Sequence, residues 1–191
     1  MKDLQNKWDE IYRQRLATSP EPATVLSRYS HLLPAHGTAL DIACGLGGNA
    51  FFLAQHSLVV DAWDISNIAI DHINQSKGTL KITATAINIS LAELHKNHYD
   101  VIVVSRFLDR DISPKIIEAL KSEGLLFYQT FTLEKVLNTG PKNPKYLLEK
   151  GELLSLFSTL TPVVYHEEAC LGDINQGIRN EAILIAQKPK T

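Results

Sequence analysis

From Gly37 to Thr130, short unbroken apolar runs alternate with helical segments, and few architectures accommodate that rhythm. The runs are Thr38–Ile42, Leu58–Trp63, Lys81–Ile87, Tyr99–Val104 and Gly124–Thr130. Between them lie helical stretches at Gly48–His56, Ser66–Lys77 and Ser113–Lys121, with a turn near Leu91–Leu94. Strands rich in Val, Ile and Leu without polar alternation are buried on both faces, which requires a parallel sheet covered by helices. The rhythm predicts a doubly wound α/β fold.

The rhythm changes after Thr130. Asn138–Pro144 holds two prolines and a glycine and reads as a polar loop. A helix near Lys150–Phe157 and strands at Thr161–Glu168 and Glu181–Lys188 follow, giving seven strands with an antiparallel last one. Ahead of the core, Leu4, Trp8, Ile11 and Tyr12 are spaced as one helix face, and Ala23–Leu33 reads as a second helix ending before Pro34. A chain of 191 residues buries roughly 70% of its unfolded surface and is expected to form one domain, residues 1–191, without staples.

The strand-to-helix turn ALDIACGLGGNAFFLA contains Gly45-Leu46-Gly47-Gly48-Asn49-Ala50, a G-x-G-x-x-A pattern that many phosphate-binding turns share. Asp41 precedes it at the end of the first strand, where open α/β sheets bind their ligands. A carboxylate there repels a pyrophosphate and suits an ammonium group. No Lys-Ser or Lys-Thr closes the loop, so it is not a P-loop. Asp64 ends the second strand 19 residues after Gly45, the position of a carboxylate that takes ribose hydroxyls. Its alternative role is to cap the next helix, for which Ser66 is the better candidate. A ribose, an ammonium and no pyrophosphate together describe S-adenosyl-L-methionine.

ALDIACGLGGNA, VDAWDIS, YDVIVVSRFLDR and LKSEGLLFYQTF resemble successive motifs of class I S-adenosylmethionine-dependent methyltransferases, whose core is Rossmann-like. KWDEIYRQR and CGLGGNAFFLA resemble, more narrowly, the bacterial tellurite-resistance-type small-molecule methyltransferases. The resemblance implies that Asp41, Ala43, Cys44, Gly45, Gly47 and Asn49 line the methionine part of the cofactor. Asp64 would take the ribose, and Ile65, Asn88 and Ile89 the adenine. Asn88 stands where such families commonly carry Asp, and capping of the next turn is its other reading. Cys44 reads as a small packing residue, not a nucleophile. The resemblance also implies a helical lid over residues 1–35 and a core over residues 36–191. Tyr12 either reaches the cofactor or substrate from that lid or docks the helix beside Trp8.

Ser105 and Arg106 close the fourth strand and should face the cleft beside the methyl group. Arg106 and Arg110 stand four apart and share a face if the segment is helical. They either clamp an anionic acceptor or pair with Asp109, Asp111 or another carboxylate. Tyr146 and the Thr139–Pro144 loop are further candidates for the substrate pocket. The formal net charge of −2 and the absence of an Asn/Asp-Pro-Pro-Tyr/Phe motif argue for a small-molecule acceptor over nucleic acid. The seven histidines are scattered and the two cysteines are isolated, so no metal site is expected. Without a signal-like or membrane-length apolar stretch, a cytoplasmic enzyme is expected. A catalytically silent cofactor-binding protein and, more remotely, a nicotinamide-dependent oxidoreductase are the alternatives.

Overall fold

A computed structural model describes residues 2–190. Its seven-stranded sheet has the order β3-β2-β1-β4-β5-β7-β6. The strands are β1 (Gly37–Ile42), β2 (Leu58–Asp64), β3 (Ile82–Ala86), β4 (Tyr99–Ser105), β5 (Leu120–Phe131), β6 (Thr161–His166) and β7 (Glu181–Gln187). The first five pair in parallel, and β7 runs antiparallel to both β5 and β6. The helices are α1 (Lys2–Arg13), α2 (Thr24–Arg28), α3 (Gly48–Gln55), α4 (Asn67–Ser76), α5 (Ser113–Ala119) and α6 (Glu152–Leu156).

Alternate residues of each central strand supply two separate cores. Leu40, Ile42, Ile102, Val104, Leu126, Tyr128 and Leu184 face α5 and α6 and pack with Ile116, Leu153 and Phe157. Ala39, Val60, Val101, Val103, Phe127, Ile183 and Ile185 face the other way, onto Leu26 of α2, Leu53 of α3 and Ile73 of α4. Two covered faces explain why the strands lack polar alternation, and full burial of each aliphatic side chain contributes about 1.5–3 kcal/mol.

Several boundaries differ from the sequence expectation. Ala23–Leu33 is not one helix, because α2 ends at Arg28 and a 3-10 turn follows at Ser30–Leu32. Helix α5 stops at Ala119, since the chain pairs from Leu120, which lies opposite Tyr99, as the start of a long β5. The Asn138–Pro144 stretch is irregular as expected, with a 3-10 turn beginning at Pro144. Among the described residues, no helix is long and apolar enough to cross a membrane.

The topology positions the site. Strand order reverses between β1 and β4, so a crevice opens at their carboxyl ends, where Asp41, Ile42 and Ser105 lie. The turn into α3 needs left-handed backbone at Gly45 (φ 52°) and Gly47 (φ 90°), which glycine adopts without strain. Gly48 is required for a different reason: a Cβ there would overlap the backbone carbonyl of Glu21, so the segment before α2 lies directly on the glycine turn.

Candidate functional site

Asp41 is fully buried. Its Oδ1 accepts from Asn49 Nδ2 at 3.2 Å, while its Oδ2 has no hydrogen-bond partner among the described residues. Burial pushes its carboxyl up to about 7, although the Asn49 amide and the Ala50 N–H pull the other way. A buried polar atom without a partner costs roughly 1–3 kcal/mol, more if charged, and calls for an explanation such as a bound ligand.

Asp64 ends β2, buried next to the glycine turn. Its Oδ2 accepts from the Gly45 N–H at 2.9 Å, and its Oδ1 accepts from the Ser66 N–H at 2.9 Å. Burial raises its pKa, and the two backbone donors partly offset that rise. Ser66 is the N-cap of α4, accepting from Ala69 N, so Asp64 is not the side chain that caps the helix.

Helix α1 reaches across this acid. The Ser66 hydroxyl donates to Asp9 Oδ1 at 2.5 Å and the Ile68 N–H does so at 3.3 Å, which docks α1 at the start of α4. Tyr12 then donates to Asp64 Oδ2 at 3.4 Å, with Trp8 stacked on its ring at 5.6 Å between centroids. The Tyr12 hydroxyl and ring lie 3.0–3.3 Å from where a Cβ at Gly45 would stand. Tyr12 therefore lies in the cradle of the turn, and burial raises its hydroxyl pKa, with the Asp64 charge adding to the rise.

Of the remaining expected residues, Cys44 is buried inside the turn and burial keeps it a thiol. Ala43, at φ 56°, is half-buried with Ile65, while Ile89 is buried. The Asn88 side-chain oxygen accepts from Ser90 N at 3.2 Å, so it caps the 3-10 turn Ile89–Leu91. Asn49 is buried, and its amide holds Asp41, Ser105 and the Ala23 N–H.

The shared arginine face does not form. Residues 107–109 are irregular, Arg106 has φ 53°, and the two side chains diverge. Arg106 Nε donates to Glu181 Oε1 at 3.0 Å. Arg110 forms a bidentate pair with Glu152 at 2.5 and 2.9 Å and donates to the carbonyls of Lys145 and Leu147. Arg110 thereby ties α6 and the 3-10 turn Pro144–Tyr146 to the end of β4, and Tyr146 itself is exposed. Losing charge-assisted bonds of this kind costs about 2 kcal/mol, so Arg110→Ala should lower the urea midpoint at unchanged m-value in equilibrium unfolding.

Gln129 and Glu181 were missed by motif reading. The Gln129 carbonyl accepts from Val25 N at 2.7 Å, and its amide donates to Glu181, which in turn holds Arg106. Their signal was a polar side chain inside the apolar runs LLFYQTF and EAILIA, since buried polar groups need partners. A cavity of about 290 Å³ opens between Ser105, Arg106, Gln129 and residues 21–24. Arg106 also borders a second, of about 390 Å³, with Phe131, Thr139, Gly140 and Arg179. Among the described residues, no group of three or more His, Cys, Asp or Glu side chains is placed to hold a metal ion.

The family profile described as Tellurite resistance protein TehB matches residues 4–130, which spans most of α1, the glycine turn, both aspartates and most of β5. The chain belongs to the TehB family. A Haemophilus influenzae relative named "Probable S-adenosyl-L-methionine-dependent methyltransferase TehB" is 34% identical over 87 residues. That match covers 43% of this chain and only 30% of the relative's length. The crystal structure of TehB from Haemophilus influenzae superposes with a TM-score of 0.70 at 21% identity, covering 95% of this chain and 67% of that one. A TehB-like S-adenosylmethionine-dependent methyltransferase from Corynebacterium glutamicum gives 0.69 at 17% identity over the whole of both chains. At these identities the structural likeness establishes a shared fold, with its Rossmann-like core.

Proposed function

We propose that this TehB-family chain is a methyltransferase that uses S-adenosyl-L-methionine and acts on a small-molecule acceptor. The observation that carries this reading is the orphaned, buried Asp41 Oδ2 beside a left-handed glycine turn that Asp64 closes. These groups fit the donor: an unpaired carboxylate oxygen for its ammonium, a second carboxylate for its ribose, and a turn with no room for side chains. Asp41, Ala43, Gly45 and Gly47 would hold the methionine part, and Asp64 the ribose hydroxyls. Ile65, Asn88 and Ile89 would border the adenine. Cys44 and Asn49 support the turn from within. When bound, the donor supplies an electrophilic methyl on a sulfonium.

Residues 1–35 act as a lid on the core 36–191. A ribose reaching Asp64 Oδ2 must displace the Tyr12 hydroxyl, and α1 can then close on the ligand and exclude water. The acceptor belongs in the 290 Å³ cavity, where Ser105 and Arg106 end the strand next to Asp41. The lining of that cavity includes the Glu21 carboxylate and, among the described residues, no histidine; a soft or already ionised nucleophile needs no general base there. A tellurium, selenium or sulfur compound meets that description, and the family name supports it. The near-neutral charge balance supports a small acceptor over nucleic acid.

The test is twofold. Isothermal titration should show that the protein binds S-adenosylhomocysteine, and methyl-labelled donor should pass its label to one of tellurite, selenite or simple thiols. Binding without transfer across that panel would favour a silent donor-binding protein. Absence of binding would remove the proposal.

A further inference from the structure

The Asn49 amide lies between the two halves of the cleft. Its Nδ2 donates to Asp41 Oδ1 at 3.2 Å and to Ser105 Oγ at 3.1 Å, and its Oδ1 accepts from Ala23 N at 2.8 Å. One hydrogen goes to each oxygen, so the amide holds protein groups and has none left for a ligand. Asp41 is the proposed ammonium site on β1, whereas Ser105 and Ala23 are walls of the 290 Å³ cavity. The Ala23 segment rests on Gly48, one residue before Asn49, so a small change in the amide is felt directly by that wall.

We propose that Asn49 is a positioning residue that couples the charge on Asp41 to the shape of the acceptor cavity. The proposal rests on the reading of Asp41 as the donor's ammonium site. One amide orientation satisfies all three partners, with oxygen toward Ala23 and nitrogen toward the two acceptors. A charged Asp41 strengthens the Oδ1 bond and fixes that orientation; a neutral one weakens it and loosens Ala23. An ammonium on Oδ2 keeps Asp41 charged, so donor binding orders the cavity wall. By linkage, an acceptor that orders the same wall tightens donor binding. The other titratable groups facing Asp41 are Asp64, whose charge opposes its ionisation, and the Cys44 thiol.

Hydrogen exchange at the Ala23 amide, corrected for intrinsic rate, tests this from pH 5.5 to 8.5. In the wild type, protection should rise several-fold as Asp41 ionises and rise again with saturating S-adenosylhomocysteine. Asn49→Ala should abolish both responses. Asp41→Asn leaves the Asn49 acceptor for Ala23 in place but cannot ionise; it should leave Ala23 protected and insensitive to pH. A residue with a merely structural role would lower protection uniformly and leave both responses in place. That result, or a wild type without a pH response, overturns the coupling. Failure of the wild type to bind S-adenosylhomocysteine counts against the donor reading instead, and the pH response alone then decides the role of Asn49.

Discussion

Asp64→Ala should abolish measurable binding of S-adenosylhomocysteine, weakening it by more than about 100-fold. Two contributions add. Hydrogen bonds from ribose hydroxyls to a buried carboxylate are worth about 1.5–3 kcal/mol each, so losing a pair exceeds the 2.8 kcal/mol of a 100-fold change. The same carboxylate also anchors the Gly45 and Ser66 N–H groups, so its removal frees the turn that cradles the methionine part. Circular dichroism separates lost binding from lost fold, and titration calorimetry reads the affinity. Asp64→Asn keeps the size and one acceptor and should retain the fold while still binding at least tenfold more weakly. Binding within twofold of wild type in Asp64→Ala would contradict the assignment.

The second large effect is on pH dependence. Asp41 titrates at about 7 because burial disfavours its charge. Pairing with an ammonium requires the carboxylate, so binding in acid must first remove a proton. Affinity should fall about sixfold from pH 7.4 to 6 and about tenfold for each further unit. Above pH 8 it should decline again as the donor's own amino group, near 8, deprotonates. Asp41→Asn should bind weakly and lose the acid limb. The stability effect has the opposite sign. The folded pKa lies above the ordinary 3.8, so the protein without ligand loses stability from Asp41 as pH rises from about 4 through 7, and bound ligand offsets that loss. Calorimetry in buffers of different ionisation enthalpy should detect proton release on binding near pH 6. A flat affinity between pH 5.5 and 7.5 would rule out an ammonium at Asp41.

The sheet was legible because its physics is local to each strand. Unbroken Val/Ile/Leu runs signal double burial, and the strands and the helices on both faces follow that pattern. The position of both aspartates at the carboxyl ends of β1 and β2 was legible for a similar reason, since the strand runs fix where those ends fall. Contacts between distant elements were not legible. The pairing of Arg110 with Glu152 spans 42 residues and that of Arg106 with Glu181 spans 75, and no short-range spacing encodes either. The helical spacing of the two arginines misled because Arg106 takes a left-handed backbone and the segment after it is irregular. The glycine motif places Asn49 in the cofactor turn, but no short-range spacing encodes the three protein partners of its amide. The sequence allows two roles for Tyr12, because its approach to Asp64 depends on Asp9 docking α1 at the start of α4.

The site assignment is tested by a crystal structure with S-adenosylhomocysteine, which should show the ammonium at Asp41 Oδ2 and the ribose hydroxyls at Asp64, each within about 3 Å, with the Tyr12 hydroxyl moved off Asp64. A ligand bound elsewhere, with Tyr12 still on Asp64 and Asp41 Oδ2 still unpartnered, would contradict it.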